Sequence, residues 1–273
     1  MKSLLYVAVA PGRRLLIKVT PLNQTNRHFL HLRHDHEVKL HDLFDSHPHI
    51  ISCISHLKHE NYCIKVFDHI NGISTLEFTE QVRCPKNKLL LSETIALFLT
   101  LATGIVHLHK NGVIHADLSL SNIIIPLSQQ GYLQMKQIKI IDFGNAIFTH
   151  DQSLASTGTY GVMAPEQIKN QPLSFASDIF SLGVLFYTII SRRMPFGVKG
   201  NTVKQITDNT LNYSPAAFTV NALLFPPSLR KLILSMLDKQ QEDRPTIYQV
   251  CNELKFLLNN EQLFSTQLSK TER

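Results

Sequence analysis

Short hydrophobic runs fill the first quarter of the chain, and their alternation with polar residues predicts β-strands. Two runs, at 4–10 and 14–19, flank a Pro-Gly pair that is typical of a hairpin turn. Two further strands are predicted at 50–57 and 62–67. Between the two pairs, apolar residues over 33–46 recur at helical spacing, which predicts a helix. The pattern indicates a small sheet with one helix against it.

Helical spacing dominates the remainder of the chain. Segments at 92–110 and 177–192 are hydrophobic nearly all round, which predicts helices buried in a larger core. A further helix is predicted over 246–259, where the apolar residues keep a helical period. With a connector near 68–72, the pattern favours an α+β fold in which a small sheet lobe precedes a larger, mainly helical lobe.

Composition and charge narrow the classes of partner. The 273 residues carry a net charge of +6, yet no basic stripe with interleaved aromatic residues is visible, so nucleic-acid binding is not expected. The apolar stretch 179–190 is shorter than the about 20 residues that cross a bilayer, so no membrane span is expected. The N-terminal apolar run is at the short limit for a signal peptide and fits a hairpin equally well. Four cysteines without a Cys-x-x-Cys pair favour a reducing, cytoplasmic location.

Three motifs follow one another in the middle of the chain. Ile-His-Ala-Asp ends at Asp117 and is followed by Asn122; Asp-Phe-Gly begins at Asp142, and Ala-Pro-Glu occupies 164–166. This ordered set resembles the catalytic loop, the magnesium loop and the end of the substrate-facing loop in eukaryotic-type protein kinases. The resemblance covers almost the whole chain.

The resemblance implies a bilobal protein-kinase-like fold and ATP and Mg²⁺ as cofactors. Residues 1–70 would form a shortened, β-rich N-lobe, 71–262 a mainly helical C-lobe, and 263–273 a C-terminal tail. Asp142 would be a magnesium ligand, because hard cations take carboxylate oxygens. Asn122 would supply an amide oxygen to a second magnesium ion, and Asp117 would accept the proton of the substrate hydroxyl or orient it.

The same resemblance implies a nucleotide pocket in the N-lobe. Lys18, in Leu-Leu-Ile-Lys, would hold the α- and β-phosphates, and Glu37 would pair with it, with Asp35 as the alternative acid. Phe67 would be the gatekeeper at the back of the pocket. The other residues expected around the adenine are Leu16, Asp68, His69, Ile70 and Ile124.

The resemblance also implies a protein as the substrate or partner, and it assigns supporting roles to residues of the helical lobe. Thr159 matches the threonine typical of serine/threonine-specific members. Asp178 resembles the buried aspartate that braces the backbone of the catalytic loop. Arg244 is expected to pair with Glu166, since buried charges occur in pairs.

The chain departs from the family pattern mainly around the triphosphate. No glycine-rich loop precedes the hairpin, because the first glycine is Gly12. Leu16 replaces the usual alanine above the adenine ring, and Ser119 replaces the usual lysine of the catalytic loop. Ala116 replaces the arginine that commonly binds activation-loop phosphate. Weaker nucleotide binding and slower transfer are expected, since backbone amides over the phosphates would be missing.

Three functions remain open from the sequence. The first is a serine/threonine protein kinase; the second is a pseudokinase that acts as a scaffold or as an inhibitor of another kinase. The third is a small-molecule kinase, against which Ala-Pro-Glu and Asp243-Arg244-Pro245 argue. A zinc site among the histidines between 28 and 69 is an alternative to a polar helix face with loops, but no cysteine or carboxylate set completes it.

Overall fold

This computed structural model describes residues 3–44, 47–82, 91–153, 158–197 and 200–271. The strands within these ranges are β1 Leu4–Ala10, β2 Arg13–Pro21, β3 Cys53–Lys58, β4 Tyr62–Asp68, β5 Gly72–Ser74, β6 Val113–Ile114, β7 Ile123–Pro126, β8 Lys139–Ile140 and β9 Ile147–Phe148. The α-helices are α1 Arg27–Leu43, α2 Thr75–Val82, α3 Leu91–Lys110, α4 Pro165–Ile168, α5 Phe175–Ser191, α6 Val203–Asn212, α7 Val220–Leu223, α8 Pro227–Met236 and α9 Ile247–Thr271.

The N-terminal lobe is an antiparallel sheet with strand order β1-β2-β4-β3. The β1–β2 hairpin closes with Ala10 opposite Arg13, and Gly12 supplies the positive φ of 77° that the tight turn requires. In the next pair of strands, Leu16 lies opposite Phe67 and Lys18 lies opposite a second lysine, Lys65. The sequence therefore predicted the hairpin, whereas the pairing of the two lysines depends on a long-range register.

Helix α1 is longer at its start than the sequence indicated. It begins at Arg27 rather than at residue 33 and runs to Leu43, and the predicted end at residue 46 lies outside the described residues. Residues 27–32 include Phe29, Leu30 and Leu32, but Phe29 and Leu32 are each 46% exposed, so this part of the helix does not continue the buried face. The inner face of the helix, by contrast, buries Glu37 and Leu40 against the sheet and the C-terminal lobe.

Two apolar helices form the centre of the C-terminal lobe, as the sequence predicted. Helix α3 buries Phe98 and Ile105 completely, and α5 is buried along almost its whole length. The rings of Phe98 and Phe186 stack with their centroids 3.8 Å apart, which joins the two helices. Helix α3 is long and apolar enough to cross a membrane by length and composition alone. It packs here against α9 and α5, as a core helix does.

Local signals define both ends of α5. Ser174 accepts a hydrogen bond from the Ala176 N–H, and Ser177 completes a reciprocal capping box at this N-terminus. Arg192 closes the other end in a left-handed conformation. The last helix, α9, begins at Ile247, one residue after the predicted start, and continues to Thr271 instead of ending near residue 259.

The sheet and the helical bundle establish the α+β, two-lobed fold expected from the sequence. The connector between them runs from the end of β4 at Asp68 to the start of β5 at Gly72. The finer division at residues 70 and 262 stays a prediction. The two lobes meet around a cleft in which most of the candidate site residues lie.

Candidate active site

A cavity of about 370 Å³ lies between the sheet and the C-terminal lobe. Its lining combines apolar side chains with a few charged groups: Ser3, Leu5, Leu16, Lys18, Glu37, Phe67, Ile141 and Asp142. An apolar slot with convergent polar groups at one end is the usual form of a small-molecule site. The charged end of this slot carries one cation, Lys18, and two carboxylates, Glu37 and Asp142.

Five of the predicted site residues line this cavity: Leu16, Lys18, Glu37, Phe67 and Asp142. Sequence reasoning missed Ser3, Leu5 and Ile141. Ile141 directly precedes Asp142 and its place could have been inferred from that neighbour, whereas Leu5 enters through the register of an edge strand.

The expected hinge lies beside the cavity without lining it. Asp68 is exposed and forms an ion pair of 3.7 Å with Arg13. The His69 N–H donates to the Arg14 carbonyl over 3.0 Å and is therefore used by the hairpin. Ile70 packs against the core, and Ile124 lies on β7 opposite Ser74. The adenine-binding roles of Asp68, Ile70 and Ile124 stay predictions.

The expected ion pair between Lys18 and Glu37 is not formed, so this prediction was wrong. Lys18 Nζ donates instead to Asp142 Oδ1 over 2.7 Å. Burial disfavours the charge on Lys18, but the carboxylates of Glu37 and Asp142 outweigh it and raise its pKa. Lys18 therefore stays charged and bridges the sheet to the Asp-Phe-Gly loop. The alternative acid, Asp35, pairs with Lys58 over 2.8 Å at the surface.

Glu37 pairs with Lys65 on β4, a residue that sequence reasoning did not single out. Both side chains are almost fully buried. Burial opposes ionisation of Glu37, but His41, Lys65 and Lys18 together hold the pKa of its carboxyl well below the usual range. Lys18 and Glu37 do not pair because a second lysine competes for the carboxylate. Lys65 lies directly opposite Lys18 on the neighbouring strand and binds Glu37 in its place. A lysine within an apolar strand was the available signal.

Asp117 lies at the centre of a hydrogen-bond network in the catalytic loop. Its Oδ1 accepts from the Thr159 N–H over 2.9 Å and from the Thr159 hydroxyl over 2.8 Å. Its Oδ2 accepts from Asn145 Nδ2 over 2.9 Å. The carboxylate is thus already oriented, and it is bonded to the hydroxyl of Thr159. A substrate hydroxyl, whose proton Asp117 is expected to accept, is the same type of group.

Asn145 joins this network to helix α1. Arg33 donates to the Gly144 carbonyl and to Asn145 Oδ1. Burial lowers the pKa of the Arg33 guanidinium, while nearby carboxylates oppose that change. Sequence reasoning missed both residues, although Asn145 directly follows the Asp-Phe-Gly motif and could have been found there.

Asn122 and Asp142 provide oxygen donors suited to a divalent cation. Asn122 Nδ2 donates to the Asp117 carbonyl over 2.9 Å, which leaves its Oδ1 outside that bond. The Asn122 carbonyl accepts from the Ile141 N–H over 2.9 Å and ties the two loops together. Asp142 Oδ1 accepts from Lys18 and from the Gly144 N–H, which leaves Oδ2 outside these bonds. A carboxylate and an amide oxygen in adjacent loops fit magnesium, which prefers hard oxygen ligands.

The backbone is strained at one position in the catalytic loop and at one position in the Asp-Phe-Gly loop. Ala116 and Asp142 have φ angles of 60° and 63°, in the left-handed region that non-glycine residues rarely adopt. Such conformations cost roughly 1–3 kcal/mol each and persist only where the surroundings hold them. Gln167 Nε2 donates to the Ala116 carbonyl over 2.7 Å and supports the first of these positions.

Asp178 braces the catalytic loop as predicted. Its carboxylate accepts from the N–H groups of His115 and Ala116 over 2.9 and 3.0 Å and lies 3.0 Å from His109 Nε2. Asp178 is 1% exposed. The His115 ring packs on Phe143 with the centroids 5.0 Å apart, which agrees with its expected packing role.

The predicted pair of Glu166 and Arg244 is also confirmed. Two parallel hydrogen bonds of 2.8 and 2.9 Å join the guanidinium to the carboxylate. Ser177 donates a third to Glu166 over 2.7 Å. The pair anchors the substrate-facing loop to the helical core. Of the activation-loop residues, Leu154–Thr157 lie outside the described part of the chain.

The histidines do not form a metal-binding cluster within the described residues. His47 stacks on His107 with ring centroids 4.3 Å apart, and His49 is a further edge contact. Burial, with smaller effects of the neighbouring rings and Lys139, lowers the pKa of His47 to about 4. These rings therefore pack as neutral side chains.

Comparisons with known proteins agree with the geometry. The family model described as "Protein kinase domain" matches residues 6–256. The chain is 31% identical over 219 residues to "Probable serine/threonine-protein kinase 2" of Plasmodium falciparum (isolate K1 / Thailand), a match covering 77% of this chain and 40% of that protein. It is 27% identical over 197 residues to "SNF1-related protein kinase catalytic subunit alpha KIN12" of Arabidopsis thaliana, covering 71% and 37%. The chain thus spans about two fifths of the length of these relatives.

Proposed function

This chain belongs to the protein kinase domain family, and on that premise we propose that it transfers the γ-phosphate of ATP to a serine or threonine hydroxyl of a protein. The observation that carries the proposal is the cavity that joins an apolar slot, at Leu16 and Phe67, to the charged groups Lys18 and Asp142. The relative named "Probable serine/threonine-protein kinase 2" supports the same specificity.

The residues of the site have distinct roles in this transfer. Lys18 binds the phosphates as a point charge, and Asn122 keeps the catalytic and Asp-Phe-Gly loops in register. The substrate hydroxyl oxygen forms a bond to the γ-phosphorus while the bond from that phosphorus to the β,γ-bridging oxygen breaks. ADP leaves with the electron pair of the broken bond, and Asp117 takes the hydroxyl proton. Magnesium held by Asp142 and Asn122 would supply neutralisation of the phosphate charge.

Thr159 supports a serine or threonine as the acceptor. Its hydroxyl and its N–H both bind Asp117, which fixes the orientation of the base. The hydroxyl of the protein substrate must reach the same carboxylate. Thr159 therefore lies where the accepting serine or threonine enters the site. We propose a protein partner on this side, in a cytoplasmic setting, with neither nucleic acid nor a membrane span involved.

The test is transfer of labelled γ-phosphate from Mg-ATP to the protein itself and to a generic basic protein. Asp142→Ala is expected to lower the rate by roughly a hundredfold or more, because charge neutralisation at the phosphates is lost. Asp208→Ala, at an exposed position on α6, is the matched control and should leave the rate unchanged. Full transfer by Asp142→Ala would contradict the proposed mechanism.

A second candidate function is a pseudokinase that binds a partner without transferring phosphate. The observation that favours it is that the two acids of the site are already engaged: Asp117 by Thr159 and Asn145, and Asp142 by Lys18. The partner would then be another kinase or a scaffolded protein. Equal partner binding and equal cellular effect of the wild type and Asp117→Asn would support this function, and strict dependence on Asp117 would exclude it.

A further inference from the structure

Two lysines face each other on neighbouring strands of the nucleotide-binding sheet. Lys18 on β2 and Lys65 on β4 are directly opposite in the antiparallel register. Like charges in this arrangement repel each other and destabilise a sheet unless acids lie between them. Lys65 is 4% exposed and so cannot use water to solvate its charge. The structure must therefore provide a carboxylate for each lysine.

The two carboxylates are divided between the two lysines. Glu37, which is 4% exposed, binds Lys65 through Oε2. Asp142, whose side chain is 42% exposed, binds Lys18 through Oδ1. The buried Lys65 is therefore paired with the buried Glu37, and the more exposed Lys18 is paired with the more exposed Asp142.

Glu37 nevertheless remains within electrostatic reach of Lys18. Its Oε1 accepts no hydrogen bond within the described residues and lies 3.9 Å from His41 Nε2. Glu37 and Lys18 line the same cavity, together with Asp142. If Lys65 were neutral, Glu37 would be a buried carboxylate without its cation and would compete with Asp142 for the Lys18 ammonium.

We propose that Lys65 is a positioning residue: it neutralises Glu37, directs Lys18 to Asp142, and so makes Lys18 compete with Mg²⁺ for that carboxylate. This inference rests on the proposed nucleotide site. It follows that Lys65 raises the Mg²⁺ concentration at which nucleotide binds. It also follows that helix α1 keeps its attachment to the sheet whether or not Lys18 moves to a phosphate, because Lys65 carries that attachment.

The first experiment measures Mg²⁺ binding through the nucleotide, without phosphate transfer. A fluorescent ADP analogue is titrated with Mg²⁺ for wild type, Lys65→Met and Lys65→Arg. The Mg²⁺ midpoint of Lys65→Met is expected to fall by roughly two- to fivefold, the size of one partly exposed ion pair. Lys65→Arg keeps a positive charge beside Glu37, so its Mg²⁺ midpoint should equal that of the wild type. Lys58→Met, which removes an exposed strand lysine, is the matched control.

An unchanged or raised midpoint in folded Lys65→Met would overturn the proposal, because a merely structural lysine has no reason to lower the Mg²⁺ requirement. If Lys65→Met does not fold, Lys65→Met/Glu37→Gln removes both buried charges at once. The Mg²⁺ midpoint of this double variant should return toward the wild-type value, since Lys18 has no alternative to Asp142. A several-fold loss of ADP affinity in the double variant would mean that Glu37 positions Lys18 after all.

A second experiment separates this inference from the proposed function, because it uses no nucleotide. Thermal unfolding is compared for Lys18→Met, Lys65→Met and the variant with both changes. Lys18 should replace Lys65 at Glu37, so the double variant is expected to lose more than the sum of the single losses. Additive losses would overturn the proposal even if the wild type binds no ADP. A non-additive loss together with no ADP binding would leave the charge arrangement supported and the proposed function wrong.

Discussion

The catalytic-loop half of the cleft and the sheet half are supported by different kinds of interaction. In the catalytic-loop half, Asp178 is 1% exposed and holds two consecutive backbone N–H groups, while Glu166 and Arg244 form a fully buried bidentate pair. These groups are surrounded by α5 and the neighbouring helices. The geometry of Asp117 is therefore fixed by the core of the C-terminal lobe.

The sheet half combines the buried pair of Lys65 and Glu37 with charges at partly exposed positions. The edge strand β1 leaves Leu5 64% and Val9 83% exposed, so it buries little apolar surface. Lys18 and Asp142 meet with side chains that are 19% and 42% exposed. Buried hydrogen bonds and a buried ion pair therefore support the groups for proton transfer, whereas the partly exposed pair of Lys18 and Asp142, which salt screens more strongly, lies at the site of phosphate binding.

The largest expected effect tests the buried side of this comparison. Arg244→Met leaves Glu166 charged, buried and supported only by Ser177, so the free energy of unfolding should fall by about 3–5 kcal/mol. Denaturant unfolding measures the change. The matched control is Lys58→Met, which breaks the exposed pair with Asp35 and should cost at most about 1 kcal/mol.

The comparison would fail if both substitutions cost the same. Arg244→Met/Glu166→Leu provides an internal check, since replacing both partners by apolar groups removes the unpaired charge. This double variant should recover part of the stability that Arg244→Met loses. No recovery would mean that the hydrogen bonds of Arg244 to the Asp238 and Ala176 carbonyls carry most of the effect.

A smaller loss of stability and a larger loss of activity are expected for Asp178→Asn. An amide can accept from only one of the two N–H groups of His115 and Ala116, and its own NH₂ then faces a donor. One unsatisfied buried group costs about 1–3 kcal/mol. Because the loop carries Asp117, phosphate transfer should fall more than stability does.

Kinetic assays and thermal unfolding of Asp178→Asn, compared with Asp208→Asn on the exposed face of α6, separate these effects. Within the described part of the chain, the Asp208 carboxylate accepts a hydrogen bond only from Asn212 of its own helix, so its substitution should leave both quantities unchanged. A loss of stability without any loss of activity in Asp178→Asn would show that the loop does not need this brace.

The sequence predicted the interactions of the catalytic-loop half better than those of the sheet half. Asp178 and the pair of Glu166 and Arg244 were found because each lies in a local motif whose order is visible along the chain. The partner of Glu37 was predicted wrongly, because it depends on which residue of β4 lies opposite Lys18. A strand register of this kind is set by long-range pairing that local patterns do not contain.

The predicted boundary of α1 was wrong because the helix extends beyond its buried face. Its first turns carry Phe29 and Leu32, which are each 46% exposed, so they do not belong to the buried helical period. The contact between Arg33 and Asn145 was missed because it spans more than a hundred positions along the chain, although Asn145 directly follows the Asp-Phe-Gly motif.

The smallest expected effect concerns the acid sensitivity of the sheet half. His34, on the inner face of α1, is 3% exposed, and neither of its ring nitrogens has a hydrogen-bond partner within the described residues. Burial first, and then the charge of Lys65 and the ring of His56, lower the pKa of His34 from 6.5 to about 4. The imidazole is therefore neutral in the folded chain at physiological pH.

The sign of the pH dependence follows from where the proton binds. Below pH 6.5 the unfolded chain binds a proton at His34, while the folded chain remains neutral until about pH 4. The stability contributed by this residue is complete above pH 6.5 and is lost as the pH falls toward 4. His34→Phe should therefore show a shallower decline of Tm over that window than the wild type, and His28→Phe, at an exposed position, should show the wild-type decline. Identical profiles for the three proteins would place the acid sensitivity elsewhere and would remove one of the differences between the two halves of the cleft.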